Sequence, residues 1–236
     1  MLLCLQCYHR EMKDLNKKAL GGLLFLLLAM AAMLFVPAWT LNYWQAWTFL
    51  AVFGGSGLAT TVYLMKNDPK LLERRTQGGP ISEKETSQKI IQTITATGFV
   101  ALLAVSALDH RFAWSPVPRY VPFVGDALVL FGMLIIFFVF KQNSFASSTI
   151  ELAPEQKVIT TGLYALVRHP MYMGAFFFLV GVPLSLGSLW ALFMIVLMMP
   201  ALIWRLVDEE KFLANNLAGY SEYQNKVSYR LVPFIW

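Results

Sequence analysis

The chain is poor in the groups from which soluble catalytic centres are usually built. It has two cysteines, three histidines and 14% charged residues, against about 25% charge in an average soluble domain. Cys4 and Cys7 form a lone CxxC, and one such pair cannot fill a tetrahedral zinc site. No thioredoxin-like context follows it. His9, His110 and His169 are far apart along the chain, so no metal centre is expected. There is no Ser-centred nucleophile elbow and no GxGxxG between a strand and a helix. Internal repeats and low-complexity tracts are also missing. The beginning does not read as a signal peptide, because its charges follow the short apolar patch instead of preceding it.

What the sequence has in excess is apolar length. It is 57% hydrophobic with a mean hydropathy of +0.56, which points to an all-α, polytopic membrane bundle of about six spans. The apolar runs are 20–36, ended by Pro37, then 46–65, 90–108, 125–140, 171–186 and 189–204. The last two give roughly 24 Å of helix each, short of a ~30 Å hydrocarbon core. Joined by Gly187-Ser188, they read as a tight helical hairpin. Trp39, Tyr43, Trp44 and Trp47 read as an interfacial aromatic belt. Gly54, Gly55 and Gly57 lack the Lys-Ser/Thr ending of a phosphate loop and read as close helix packing. Residues 66–88 read as a polar loop, with Asn67-Asp68-Pro69 ending a span and Gly78-Gly79-Pro80 marking a turn.

With six alternating spans, 17 of the 19 Lys and Arg fall on one side. The positive-inside rule then places both termini and residues 141–170 in the cytoplasm. The net charge of +5 is thereby explained by topology and implies no nucleic-acid partner. Two regions follow: a four-span N-terminal part, 1–140, and a C-terminal part, 141–236, that holds the concentrated polar chemistry.

That chemistry begins at Gly162-Leu163-Tyr164-Ala165-Leu166-Val167-Arg168-His169-Pro170-Met171-Tyr172. Pro170 disfavours helix at His169 and is tolerated in the first turn of a helix that follows, so Arg168 and His169 belong at a helix entrance. Farther on, Arg205 and Glu209 are four apart on one expected helix and share a face. A cation and a carboxylate at membrane depth can hold a charged ligand; on composition alone the pair reads first as a snorkelling Arg beside an exposed acidic cluster. Tyr220 and Tyr223 follow in the tail.

Taken together, Gly-x-Tyr-x-x-x-Arg-His-Pro-x-Tyr at 162–172, Arg-x-x-x-Glu-Glu at 205–210, Tyr-x-x-Tyr at 220–223 and the final Pro-Phe-Ile resemble the isoprenylcysteine carboxyl methyltransferase family. The likeness covers 141 to the C-terminus. The N-terminal half, including Asp68-Pro69-Lys70-Leu71-Leu72-Glu73-Arg74-Arg75, resembles bacterial members of the wider family. The resemblance implies a membrane methyltransferase using S-adenosylmethionine, with a cytosolic cofactor pocket and no soluble nucleotide-binding fold. It implies cofactor contacts from Gln156, Lys157, Val158 and Ile159, largely through backbone, and from Tyr164, His169, Pro170, Met171, Tyr172 and Glu209. Arg205 matches the residue facing the methyl acceptor. Gln156 stands where the eukaryotic enzymes have a His, so it keeps hydrogen bonding without a possible positive charge.

Methyl transfer needs alignment and exclusion of water more than acid–base groups. Glu209 suits an ammonium, tyrosine faces suit a sulfonium or adenine, and Arg205 suits an anionic acceptor. Arg168 has two candidate partners, the cofactor carboxylate and Glu210; it joins Arg205 and Glu209 as the expected catalytic set. The acceptor expected is a lipophilic or lipid-linked molecule entering from the membrane lipids, first an isoprenylcysteine-like carboxylate, then a phospholipid amine or a thiol. Two other classes compete. A sterol-type NADPH-dependent reductase carries a similar Arg-His-x-x-Tyr motif but usually has Asn where this chain has Met171. A non-enzymatic assembly protein would leave the gathering of Arg168, His169, Arg205 and Glu209 unexplained.

Overall fold

A computed structural model of the chain describes residues 2–78, 83 and 85–233, with side chains from residue 12 onward. Gly79 and Pro80 of the expected turn and Phe234 and Ile235 of the terminal motif lie outside the described residues. So do the side chains of Cys4, Cys7 and His9.

Every regular element among the described residues is helical. They are α1 (Leu2–Ala38), α2 (Trp44–Asn67), α3 (Pro69–Thr76), α4 (Thr86–Phe112), α5 (Val121–Gln142), α6 (Pro170–Ser185), α7 (Leu192–Asn216) and α8 (Tyr220–Lys226), with a 3-10 turn at Gly162–Ala165. Four helices are long and apolar enough to cross a membrane: Met12–Ala38, Trp44–Asn67, Thr86–Phe112 and Val121–Gln142. Pro170–Ser185 is shorter but equally apolar, and α7 is apolar up to Trp204 before turning polar. The protein is a multi-pass membrane helical bundle.

Three details differ from the sequence reading. The first helix does not start at residue 20 but runs unbroken from Leu2, with Lys13, Lys17 and Lys18 on its early turns; long lysine stems can lie along apolar surface while the charges reach water. The expected polar loop contains α3. The Asp68 carboxylate accepts from the Leu71 N–H at 3.0 Å and Pro69 fills the first helical position, so a cap and a pre-set φ start this short helix. Leu71 and Leu72 are its buried face. Thirdly, Tyr43 is not part of the aromatic belt. Trp39, Trp44 and Trp47 are exposed, whereas Tyr43 is fully buried. Its hydroxyl donates to Leu186 O at 2.8 Å, and its ring stacks on His110 at 3.8 Å.

Around the bundle α6 neighbours α5, α5 neighbours α2, α2 neighbours α1, α1 neighbours α4, and α4 neighbours α7. The two C-terminal helices are joined by a tight turn at 186–191, yet each packs chiefly on an earlier helix and only lightly on the other. The α5–α6 pair is the most intimate. A Cβ at Gly132 would stand 2.5 Å from Gly174 O, one at Gly174 would stand 2.9 Å from Gly132 O, and one at Gly181 would stand 2.7 Å from Val129 N. A Cβ at Gly125 would strike the Ser185 backbone. Gly125 and Gly132 are seven apart, as are Gly174 and Gly181, so each helix presents one bare strip and the antiparallel backbones touch. By comparison, Gly54 and Gly57 meet only Leu27 and Leu23 side chains, at 3.2 and 3.3 Å, and Gly55 meets nothing.

Candidate active site

The end of the bundle carrying α3, the start of α4 and the charged half of α7 encloses a cavity of about 440 Å³. Its wall brings together every site residue expected from the sequence: the 156–159 segment, Tyr164, the Arg168–Tyr172 turn, Arg205 and Glu209. The local sequence explains the placement. His169 is the N-cap of α6 with φ −124 and ψ 65, Pro170 is in the first turn, and the chain before them is pinned by the 3-10 turn. Gly162 takes φ +61, and a Cβ there would collide with the Gln142 amide at 2.5 Å. That amide oxygen accepts from the Leu163 N–H at 3.0 Å, fixing the turn on the end of α5.

The C-terminal tail closes the back of this turn. Arg168 N–H donates to Tyr229 O and His169 N–H to Arg230 O, both at 2.9 Å. The Tyr223 hydroxyl donates to Tyr164 O at 2.6 Å. Behind the turn lies Glu210, 5% exposed, on which two guanidiniums and an imidazole converge. Arg230 Nε lies 2.8 Å from Oε2, His169 Nε2 3.3 Å from Oε1 and Arg168 Nε 3.1 Å from Oε1. The Arg168 approach is close but not aligned for a hydrogen bond. Burial alone would push Glu210 up. Hydrogen bonds from His169 and Arg230 and the charges of His169 and Arg168 outweigh it and hold the carboxyl at about 2. Of the two partners left open for Arg168, Glu210 is the one beside it.

Glu209, one residue earlier, turns into the cavity and accepts from the Tyr172 hydroxyl at 2.7 Å. Tyr172 in turn meets His169 edge to face at 5.7 Å between centroids. Tyr164 accepts from Asn143 Nδ2 at 2.8 Å, and burial pushes its hydroxyl up to about 12. Gln156 folds back on its own loop. Its side-chain amide oxygen accepts from Ala153 N–H at 3.0 Å while its backbone N–H donates to Ala153 O at 3.1 Å. Glu155 between them takes φ +59. The Gln156 side chain therefore shapes the loop that carries Lys157, Val158 and Ile159 along the cavity.

Arg205 is the hub of a network that the sequence did not announce. It donates to Glu83 Oε1 at 2.8 Å, Gln88 Oε1 at 3.0 Å and Ser148 O at 3.0 Å. Gln92 also donates to Glu83 Oε1, at 2.7 Å, and Gln88 to Asp208 Oδ2 at 3.0 Å. Glu83 is 4% exposed, a buried carboxylate inside what hydropathy reads as a surface loop. The N-terminal half thus builds one wall of the site. Among the described residues, no three His, Cys, Asp or Glu side chains form a metal-binding group.

Beside the cavity, between α6 and α7, lies an apolar recess of about 30 Å³. It shares Tyr172, Ala175 and Leu202 with the cavity wall and continues past Leu179, Met199 and Leu206.

Comparison with known proteins bears on this geometry. Residues 120–219 match the phospholipid methyltransferase family model. The chain is 33% identical over 76 residues to a protein-S-isoprenylcysteine O-methyltransferase of Schizosaccharomyces pombe, covering 30% of each chain. The match thus spans under a third of that relative's length. No solved structure matches. The matched region runs from the end before α5 to the start of α8 and contains the His169 turn, Arg205 and Glu209. Over residues 120–219, under half of its length, this chain is therefore similar to the phospholipid methyltransferase family.

Proposed function

We propose that the protein transfers a methyl group from S-adenosylmethionine to a lipophilic acceptor, with an isoprenylcysteine-like carboxylate first among acceptors. The observation that carries this reading is the single cavity holding Glu209, Arg205 and the 156–159 loop while abutting the apolar recess between α6 and α7. Its volume of about 440 Å³ lies within the ~300–1,000 Å³ range of small-molecule sites. The donor set fits a zwitterionic, aromatic cofactor. Glu209 retains acceptor capacity beyond its bond from Tyr172 and suits an ammonium. Tyr164 and Tyr172 supply π faces for a sulfonium or an adenine.

When bound, S-adenosylmethionine supplies an electrophilic sulfonium methyl, whose in-line transfer asks for alignment and a dry site. The residues of this chain provide those conditions. Glu209, held by Tyr172, orients the cofactor's charged end. Arg205, held by Glu83, Gln88 and Ser148 O, presents its guanidinium to the cavity for an anionic acceptor. Arg168 and His169, paired with Glu210, hold the turn that positions Tyr164 and Tyr172. The apolar recess lets a lipid chain lie against the site from the bilayer side.

Calorimetry on detergent-purified protein tests the reading. Wild type is expected to bind S-adenosylmethionine with micromolar affinity and not NADPH. Glu209→Gln is expected to weaken that binding by at least tenfold, because a charge-assisted hydrogen bond is worth about 1.5–3 kcal/mol. Binding of NADPH in place of S-adenosylmethionine would make the protein a reductase; binding of neither by well-folded protein would end the enzyme reading.

A further inference from the structure

Two arginines from opposite halves of the chain grip successive carbonyls of one loop. Arg75 NH1 donates to Ser147 O at 3.1 Å, and Arg205 NH2 donates to Ser148 O at 3.0 Å. Both guanidiniums line the cavity. Their surroundings differ. Arg205 has a carboxylate, Glu83, at 2.8 Å. Among the described residues Arg75 pairs with no carboxylate; its guanidinium lies over the Phe140 ring at 5.0 Å, and one of its five donors is engaged. Burial and the neighbouring Arg205 charge lower Arg75 to about 10. Arg205 is balanced by Glu83 and by Glu209 nearby, so the uncompensated charge in this corner of the wall is that of Arg75. A partly buried charge of that kind is stabilised by an anion brought to it.

The adjacent residue provides an internal comparison. Arg74 makes the same type of loop tie, NH1 to Ser144 O at 2.9 Å, but does not line the cavity. Tying the loop therefore does not require a side chain in the wall. The position of Arg75 is set by α3, whose cap at Asp68-Pro69 and buried Leu71 and Leu72 fix its orientation.

We propose that Arg75 and Arg205 form a two-guanidinium subsite for an oxyanion, carboxylate or phosphate, carried by the lipophilic acceptor, with Arg75 making the direct contact. This rests on the methyltransferase reading for its acceptor and adds a residue from outside the family-matched region. The planar fork of Arg75 can meet both oxygens of such a group, and its stacking on Phe140 holds it in place before the ligand arrives.

The test uses the full-length protein in detergent and three amphiphiles: N-acetyl-S-farnesylcysteine, its uncharged methyl ester, and lysophosphatidic acid. Affinity for each, and separately for S-adenosylmethionine, is measured by calorimetry on wild type, Arg75→Gln and Arg74→Gln. Wild type is expected to prefer one of the two anions over the ester. Arg75→Gln should lower that preference roughly tenfold or more without changing affinity for the ester or for S-adenosylmethionine. Arg74→Gln should leave all four affinities as they are. The anion whose binding depends on Arg75 identifies the source as carboxylate or phosphate. No preference for either anion in wild type overturns the proposal, as does equal weakening of every ligand by both variants, which would make Arg75 a loop tie only. Should Arg75→Gln not fold, Arg75→Lys keeps the charge but not the fork, and an undiminished anion preference there overturns it too. If wild type shows the Arg75-dependent preference but does not bind S-adenosylmethionine, the subsite stands and the methyltransferase reading falls.

Discussion

At the scale of single residues the two neighbouring glutamates divide the work. Glu209 faces the cavity with a tyrosine partner, whereas Glu210 faces away and is the counter-ion for Arg168 and Arg230. Replacing Glu210 by Gln leaves Arg168 and Arg230 without their shared carboxylate and removes the partner of the His169 ring, and breaking a buried pair costs about 3–5 kcal/mol. Glu210→Gln is expected to lower the thermal midpoint in detergent and to make the tail around Lys226–Arg230 newly sensitive to protease, while Glu209→Gln does neither. The pH dependence has a definite sign. The Glu210 carboxyl sits at about 2 in the fold against an ordinary 4.5, so its contribution is fully present above about pH 4.5 and is lost as pH falls toward 2. Thermal midpoints of wild type minus Glu210→Gln should differ by a constant amount from pH 7 to 5 and converge below 4.5. Glu209 and Arg205 are recognisable from their spacing and motif. Glu83 and Gln88 are not, because they pair with Arg205 and Asp208 across more than a hundred residues; Gln92 joins them only through Glu83 and Ser148 O, and nothing local marks a Glu between a polar turn and a helix start as buried.

At the scale of elements, hydropathy locates the spans but says little about which helix touches which. Gly125, Gly132, Gly174 and Gly181 are inconspicuous inside apolar runs, while the clustered Gly54, Gly55 and Gly57 look more like a packing motif and pack less closely. The seven-residue spacing in both helices is the available signal, visible only once the two are read as partners. Gly181→Val places branches against the Val129 backbone, which cannot move aside as a side chain can. Overpacking costs about 1–3 kcal/mol, and Gly181→Val should fall at or beyond the upper end, read as loss of the folded fraction on gel filtration. Gly55→Val, facing open space, is the control and should be neutral. A smaller stabilising change is available at the end of α4. Ala113 takes φ 52 in the left-handed region, with Ala113 N–H and Trp114 N–H both donating to Asp109 O. Ala113→Gly removes the Cβ strain and should raise stability by about 1 kcal/mol, measurable as a thermal shift.

On the scale of the whole molecule, the N-terminal helices are more than an anchor. α3, α4 and the segment between them supply Arg75, Gln88, Gln92 and Glu83 to the cavity region, so the division at residue 140 marks where the recognisable motifs begin and not where the site begins. The cavity end gathers the basic residues and the His110–Trp114 end carries few, and on that distribution we propose that the cavity end is the cytoplasmic one. In a variant with Cys4 and Cys7 replaced by Ser, a cysteine at Lys157 should react with a membrane-impermeant maleimide only after the inner face is opened. A cysteine at Trp114 should react from outside in intact cells. The reverse pattern would invert the topology.

The glycine seam between α5 and α6 also has a mechanical consequence. Two backbones in contact along bare strips cannot slide or rotate past each other without one ridge climbing another, so this pair behaves as a stiff plate. The other edge of α6 is different: it meets α7 lightly, across the apolar recess beside the cavity. Any widening large enough to pass a lipid tail therefore belongs to α7 swinging from α6, with the plate as the fixed jaw and the α7 side, carrying Arg205 and Glu209, as the moving one.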